Sequence, residues 1–302
     1  MKTLGWVYFK LLLGTFFWGL NFHWVQITMT SMDEWTGSAA RYLVSGIGIL
    51  LLFPIVGGTR ITKEEWIKSL RNFHHIILVC LFGIFFFNYF FFKGLAQTHA
   101  LNGALFVALN PVFTAIISKW MLGVKLSRMQ WSGIIIALFG VVVVLTEGNP
   151  NKLLQLKLNT GDLWVLGSSV LFAVHNVWIH KYLPWIQPLL LTFLTNILGA
   201  VLFLAVSYET DFGDLLPQLP QLVIISVVVM GFLGTTLSFL FWNTGVKELG
   251  ATKTSVFLNL VPLFAGVSGL FFGHSISLFQ IIGGTIILIG IRFSSLKRKI
   301  NA

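Results

Sequence analysis

Long apolar runs recur along almost the whole chain, and they restrict the possible fold more than any other feature. A run of about 20 apolar residues is long enough to cross the hydrocarbon core of a bilayer as a helix. Helices are favoured there because backbone polar groups find no water to bind. We therefore predict an all-α integral membrane protein with ten transmembrane helices, at residues 5–28, 36–57, 74–95, 98–118, 129–147, 160–181, 187–207, 219–243, 251–272 and 277–293.

The composition supports this class. Only 10% of the 302 residues are charged, whereas soluble domains carry about 25%. The net charge is +10, but the basic residues lie in short loops between the apolar runs. We therefore predict that the chain lies in a lipid bilayer and does not bind nucleic acid.

The basic residues also predict the orientation. If the N-terminus is inside, most Lys and Arg residues fall in loops on the cytoplasmic side, as the positive-inside rule requires. The acidic residues show the opposite bias, since the predicted outer loops contain Asp33, Glu34, Asp162 and Glu209. Both termini are therefore predicted to be cytoplasmic.

Two segments of the chain repeat each other. ALFVALNPVF at residues 104–113 aligns with SVFLNLVPLF at residues 255–264, and Gly94 aligns with Gly245 in the same register. Each half holds five spans, an odd number, so the second half must cross the membrane in the opposite direction. We predict an inverted repeat with a pathway between its halves, divided into a first five-helix repeat at 1–147, an outer linker at 148–159 and a second repeat at 160–302.

A proline lies within each repeated segment, at Pro111 and Pro262. Proline has no N–H, so the carbonyls of Val107 and Leu258 lose their helical partners and both helices are predicted to kink. In a bilayer, another helix, a hydroxyl or water must bind those carbonyls. The alternative is that each proline only bends its helix, since proline is common in membrane spans.

Several segments resemble one known family. They are FFWGLNF at 16–22, AARYLVSG at 39–46, GLAQTHALNGALFVALNPVF at 94–113, GVKELGATKTSVFLNLVPLF at 245–264 and FQIIGGTIILIGI at 279–291. With its repeat and spans, the chain resembles the EamA-type transporters of the drug/metabolite transporter superfamily.

The resemblance implies ten helices, an inverted repeat and a pathway between the halves. It further implies a secondary transporter that exports amino acids or similar small metabolites by alternating access. The expected location is the inner membrane of a bacterial cell. Relatives usually carry Gly-Glu after the fourth and ninth spans, whereas this chain has Gly123-Val124 and Gly273-His274. A role that this acid plays elsewhere is therefore not expected here.

Polar side chains within the spans are candidate substrate ligands, because they are unfavourable in lipid unless they face protein or water. Aromatic walls with a few amide, hydroxyl and imidazole groups would orient a small polar molecule. The candidate substrate-binding residues are Trp18, Asn21, Asn88, Asn102, Phe106, Asn110, His175, Trp178, Ser238, Trp242 and Asn259. The alternative is that the Asn and Ser residues only bond helices together, and that the aromatic residues face lipid.

Two titratable residues within the spans leave alternatives open. His175 is a possible proton site, or a neutral imidazole bonded to a neighbouring helix. Arg41 either extends outward toward Asp33 and Glu34 or pairs with a substrate carboxylate. Lys93 lies near the outer end of span three, where its charge can extend toward water.

The residue types that the spans lack are also informative. No Asp or Glu lies clearly within a span, so a carboxylate proton relay is not expected and a zwitterionic or neutral substrate is favoured. The sequence shows no P-loop, metal-ligand spacing or catalytic acid pair. We therefore predict neither an enzyme nor a cofactor or metal. The alternatives are a nucleotide-sugar or phosphate-ester carrier of the same superfamily, a channel and a membrane-embedded enzyme. A monomer and a homodimer both remain open.

Overall fold

The computed structural model describes residues 2–56, 61–98, 100–155, 157–208, 212–273 and 275–295, and these ranges contain helices and no β-strand. Short helices at Lys63–Arg71, Asn151–Leu154 and Phe212–Leu215 lie in connections. The long helices are α1 (Lys2–Thr28), α2 (Glu34–Val56), α3 (Phe73–Leu95), α4 (Ala100–Ala108 continued by Asn110–Leu122), α5 (Arg128–Thr146), α6 (Thr160–Tyr182), α7 (Pro188–Val206), α8 (Gln221–Leu249), α9 (Ala251–Phe272) and α10 (Leu278–Ser295).

The long helices make the chain a multi-pass membrane protein. Within the described ranges, nine helical stretches, belonging to α2 through α10, are long and apolar enough to cross a membrane. Helix α1 is 27 residues long, but Lys10, Asn21 and His23 lower its mean hydropathy and it is not among the nine. A tenth crossing through α1, the inverted relation of the halves and the side of the termini remain predictions.

One predicted helix end was wrong: the eighth span was predicted to end at residue 243, but its helix continues to Leu249. The fourth span, predicted to end near residue 118, continues to Leu122. Each helix is followed by a glycine with positive φ, 85° at Gly250 and 68° at Gly123. Glycine adopts this conformation without steric strain and commonly ends helices. These glycines, rather than the first polar residues of each run, mark the ends.

Helices α5 and α10 pack with their backbones in close contact. A Cβ atom placed on Gly140 would lie 2.7 Å from the carbonyl oxygen of Gly283, and one on Gly290 would lie 2.7 Å from the carbonyl oxygen of Gly133. The absence of side chains at these positions allows the close approach. The glycines at seven-residue spacing therefore join two helices of the same chain.

The two prolines interrupt their helices as expected, but the carbonyls they free are satisfied differently. Leu109 interrupts α4 just before Pro111, and the carbonyl of Val107 accepts a hydrogen bond of 3.5 Å from Ser169 Oγ in α6. A 3₁₀ segment, Val256–Leu260, precedes the second proline, so the carbonyl of Leu258 accepts from the backbone N–H three residues later. One carbonyl thus uses a hydroxyl from another helix, and the other uses a tighter turn.

Two helices contain π-helical segments at related places. These are Leu81–Phe85 in α3 and Met230–Leu237 in α8. The sequence offset that aligns Pro111 with Pro262 also aligns Gly83 with Gly234, within these segments. π-Helical turns widen a helix locally and are frequent at functional sites. The side chains that pack against Gly83 and Gly234 are therefore candidates for a functional site.

Candidate functional site

An aromatic cluster forms where helices from the two halves of the sequence meet. Trp18 of α1 lies 5.0 Å from Trp242 of α8 and 6.0 Å from Phe172 of α6, measured between ring centroids. The imidazole of His175 stacks on Phe172 at 5.2 Å, and Phe239 lies 5.7 Å from Trp18. We call these five residues the central cluster. It brings together three of the predicted site residues, Trp18, His175 and Trp242.

A hydrogen bond holds His175 in one orientation, and its second ring nitrogen has no partner among the described residues. Its Nδ1 lies 2.8 Å from the carbonyl oxygen of Val79 in α3. A carbonyl can only accept, so Nδ1 carries the hydrogen and Nε2 is left as an acceptor. Nε2 is buried and has no partner among the described residues. The bond to a neighbouring helix is therefore present, and the imidazole still has one free acceptor.

Asn21 and His175 pack against the two π-helical segments in matching ways. His175 lies on Gly83 of α3, and Asn21 lies on Gly234 of α8, so closely that a Cβ atom on either glycine would overlap the side chain. Trp18 Nε1 also donates to the carbonyl of Gly234 at 2.9 Å. Asn21 is half-buried, and no hydrogen bond joins its amide to the described part of the chain. Its amide is therefore free to bind a ligand.

Two of the predicted residues form bonds between helices instead. Asn110 is 1% exposed, and its Nδ2 donates to the carbonyl of Ser169 at 2.7 Å. Its Oδ1 accepts from the Thr114 hydroxyl. The Ser238 hydroxyl lies 3.1 Å from the carbonyl oxygen of Gly14 in α1 and 2.9 Å from that of Leu233 in its own helix. Both side chains have their partners within the bundle, which agrees with the structural alternative.

Other predicted residues lie away from the central cluster. Trp178 shares a helix with His175, but its Nε1 donates to Nδ1 of His75 near the end of α6. Phe106 lines a separate apolar cavity between α4 and α5, together with Leu138 and Val141. Asn102 lies in α4, and its side chain is outside the described part of the structure.

Asn176 is a site residue that the sequence reasoning missed. It follows His175 directly, and its Oδ1 accepts from Trp242 Nε1 at 2.7 Å. Its Nδ2 is buried without a partner among the described residues, and so are both amide atoms of Asn259. Asn176 is an amide within a span, as the predicted Asn residues are, and could have been identified on that ground. The prediction selected only the adjacent His175.

A second cavity, of about 260 Å³, lies at the predicted outer ends of α2, α3 and α7. We call it the outer cavity. Asn88 lines it and so is not part of the central cluster. The other lining residues are Glu34, Trp35, Ser38, Tyr89, Phe92, Lys93 and Phe203.

Arg41 lies next to this cavity and has no acidic partner among the described residues. Its Nη2 donates to Oδ1 of Asn88 at 2.8 Å, and its guanidinium lies 5.2 Å from the Tyr42 ring centroid. Of the two alternatives for Arg41, outward extension gains no support, because among the described residues neither Asp33 nor Glu34 forms an ion pair with it. Asp33 instead accepts from backbone N–H groups at the start of α2.

Contacts between the two halves of the sequence occur at both ends of the bundle. At the predicted outer end, the Thr98 hydroxyl donates to the buried carboxylate of Asp162. At the other end, Glu65 Oε1 accepts from the backbone N–H of Gln187 at 2.6 Å, and Lys68 lies 4.5 Å from the ring centroid of Trp185. The two halves of the sequence are therefore joined at both ends of the bundle.

Metal-binding geometry is absent from the described ranges, which contain no group of three or more His, Cys, Asp or Glu residues placed to hold an ion. The single cysteine, Cys80, is buried as a free thiol. What the structure offers is an imidazole, several amides and aromatic rings. Such groups can bind and orient a small molecule.

Comparisons with known proteins agree with a transporter. The sequence pattern of the EamA-like transporter family matches residues 5–146 and 159–296. The chain is 32% identical over 295 residues to the uncharacterized transporter YyaM of Bacillus subtilis, covering 98% of this chain and 95% of that protein. It is 22% identical to the chloroplastic WAT1-related protein At3g02690 of Arabidopsis thaliana, covering 91% of this chain and 66% of that one.

A solved crystal structure shares the fold. It aligns with a TM-score of 0.74 at 16% sequence identity and covers 96% of both chains.

Proposed function

The chain belongs to the EamA-like transporter family, and on that premise we propose that it is a secondary transporter for amino acids or similar small metabolites. We further propose that it exports them across the inner membrane of a bacterial cell. In this proposal both termini are cytoplasmic, and residues 1–147 and 160–302 are inverted halves that rock about a central site.

The free Nε2 of His175 within the central cluster is the observation that supports a substrate site there. Because Nδ1 donates to Val79, Nε2 can accept a hydrogen bond from a substrate ammonium, amide or hydroxyl group. The rings of Trp18 and Phe172 would contact the apolar part of the substrate. The cluster contains no Lys, Arg, Asp or Glu, which suits a zwitterionic or neutral molecule.

The matched glycine contacts support movement of the halves. Gly83 and Gly234 let His175 and Asn21 lie against helix backbones, so sliding of α6 on α3 and of α1 on α8 would change both contacts together. Helices interrupted before Pro111 and Pro262 can bend there. Alternating access would then open the central cluster to one side at a time.

His175 is also our candidate for a coupled proton. A proton would bind at Nε2, because the other ring nitrogen already carries hydrogen and donates to Val79. Protonation would convert the acceptor that binds the substrate into a donor. Substrate and proton would therefore compete for one atom, as an antiporter requires. A facilitator would use the same atom for substrate alone.

Counterflow in proteoliposomes tests the proposed substrate class. Vesicles containing the purified chain are loaded with all twenty amino acids, and efflux of each is measured by mass spectrometry against protein-free vesicles. We expect selective efflux of a few amino acids. Folded protein that exchanges none of them would contradict the amino acid assignment.

A phosphate-ester carrier is the second candidate. It is favoured by one observation, that Arg41 and Lys93 lie at or beside the outer cavity without ion-pair partners among the described residues. Phosphate groups are commonly bound by Arg and Lys. However, Glu34 lines the same cavity and would repel a phosphate dianion. Exchange of inorganic phosphate in the same vesicles would favour this candidate.

A further inference from the structure

The outer cavity contains groups of both charge signs that have no ionic partner in the described part of the chain. Lys93 donates to the Tyr89 hydroxyl at 3.0 Å and lies 4.3 Å from the ring centroid of Trp164. The only ion pair found within the described ranges is Lys152 with Glu147. Neither Lys93 nor Glu34 is therefore within 4 Å of a described group of opposite charge.

Lys93 has N–H groups that can donate to a ligand. An ammonium group carries three N–H bonds, and one of them points to Tyr89. The Ser38 hydroxyl lines the same cavity, and no hydrogen bond joins it to another described residue. A carboxylate can accept hydrogen bonds from both groups, and charge-assisted bonds of this kind are stronger than neutral ones.

Arg41 adds positive charge behind the cavity wall. It donates to the oxygen of Asn88, an amide that lines the cavity. Its Nε is buried without a partner in the part of the chain that the structure describes. The positive potential of Arg41 and Lys93 therefore favours an anionic group on this side of the cavity.

Glu34 restricts the ligand further. It begins α2, is exposed and lines the cavity together with Trp35. A carboxylate beside an aromatic ring attracts an ammonium group through charge and through the cation–π interaction. It would also weaken the binding of a ligand that carries only negative charge. Together, the unpaired acid and the unpaired base fit a ligand that carries both charges.

The size of the cavity agrees with a small ligand. Its volume is about 260 Å³, slightly below the range of roughly 300–1,000 Å³ that is usual for sites binding drug-sized molecules. Trp35 and Tyr89 stack at 5.4 Å and form an aromatic wall. That wall can contact an uncharged side chain while the charged head group binds at Lys93 and Glu34.

We propose that the outer cavity is a second binding site, which takes the zwitterionic head of an α-amino acid. Lys93 and Ser38 bind the carboxylate, and Glu34 binds the ammonium group. The inference rests on the proposed transport of amino acids and adds a site separate from His175. In an exporter, this site would bind the substrate between the central cluster and the outside.

Ligand derivatives with one charge removed provide the test. Each of the twenty amino acids is screened for stabilisation of the purified chain, since a bound ligand raises the melting temperature. For each amino acid that binds, its dissociation constant is compared with those of its methyl ester, which lacks the carboxylate, and its N-acetyl form, which lacks the ammonium. Nε2 of His175 can also accept from an ammonium group, so charge selectivity is assigned to the outer cavity only where a substitution in that cavity removes it.

The variants are Lys93→Met, Lys93→Arg and Glu34→Gln, and the matched control is Lys125→Met at an exposed loop lysine. We expect Lys93→Met to weaken binding of the amino acid about tenfold and to leave binding of the methyl ester unchanged. Glu34→Gln should weaken binding of the amino acid and leave binding of the N-acetyl form unchanged. Lys93→Arg and Lys125→Met should bind as the unmodified protein does.

Three results would overturn the inference, and size-exclusion chromatography establishes that each variant is folded. Unchanged amino acid binding in both Lys93→Met and Glu34→Gln would contradict the inference. If both variants still carried out counterflow, the proposed function would stand. If inorganic phosphate bound to the unmodified protein and this binding were lost in Lys93→Met, the ligand of the outer cavity would be an anion and not a zwitterion. Absence of both amino acid binding and counterflow would contradict the inference and the proposed function together.

Discussion

The imidazole of His175 in α6 lies directly on Gly83 in the π-helical segment of α3. Asn21 of α1 has the same relationship to Gly234 in the π-helical segment of α8. Both pairs place a polar side chain against a helix backbone that carries no Cβ atom. They therefore link the proposed central site to the two surfaces on which the halves would slide.

We predict that Gly83→Ala destabilises the protein, because the new methyl group would overlap the buried imidazole. Overpacking of this kind typically lowers stability by about 1–3 kcal/mol. The melting temperature should fall, whereas the same substitution at Gly5, which has nothing within 4 Å, should leave it unchanged or slightly raised. Equal melting temperatures for the two variants would show that His175 does not occupy this position.

Asn110 and Asn21 should respond differently to alanine. Asn110→Ala removes a buried bond to the carbonyl of Ser169, so we expect a loss of about 0.6–2 kcal/mol of stability with unchanged substrate selectivity. Asn21→Ala removes no such bond and should reduce transport while the melting temperature is retained. Thermal unfolding and counterflow of both variants check this. A change of selectivity in Asn110→Ala would place that residue in the pathway after all.

The contact between α5 and α10 should not tolerate larger residues. Gly140→Val would force a branched side chain against the backbone of Gly283, where even a Cβ atom would lie at 2.7 Å. We expect poor yield of folded protein by fluorescence-detected size-exclusion chromatography, whereas Gly5→Val should behave like the unmodified protein. Normal yield of Gly140→Val would mean that these helices separate readily.

Proton coupling, if present, should depend on His175. Glutamine retains hydrogen-bonding capacity but does not titrate, so His175→Gln should abolish the dependence of transport on an imposed pH gradient. His180→Gln, on the same helix but near Gly250, is the matched control and should retain the dependence. A pH dependence that persists in His175→Gln would exclude this histidine as the proton site.

The fold class followed from the sequence because the length of an apolar run decides whether a helix can cross a bilayer. The helix interruptions at the two prolines were also predicted correctly, because the missing N–H acts within one helix. His175 was a candidate because it is a titratable side chain within a span.

The composition of the site was less predictable, because it depends on how the helices rotate against one another. Trp178 shares a face of α6 with His175, but its indole turns toward His75 on another helix. Asn88 of α3 lines the outer cavity and is bonded to Arg41 of α2 behind the cavity wall. Periodicity along one helix does not specify its neighbours, so these assignments required the three-dimensional structure.

Counterflow of one exchanged amino acid by the unmodified protein and by His175→Leu tests the central claim most directly. Leucine keeps an apolar side chain in the cluster but removes Nε2, the free acceptor. We predict that exchange falls at least about tenfold, in line with the loss of a hydrogen bond to a charged group, while His180→Leu retains it. Unchanged exchange and affinity in folded His175→Leu would contradict a substrate site at the central cluster.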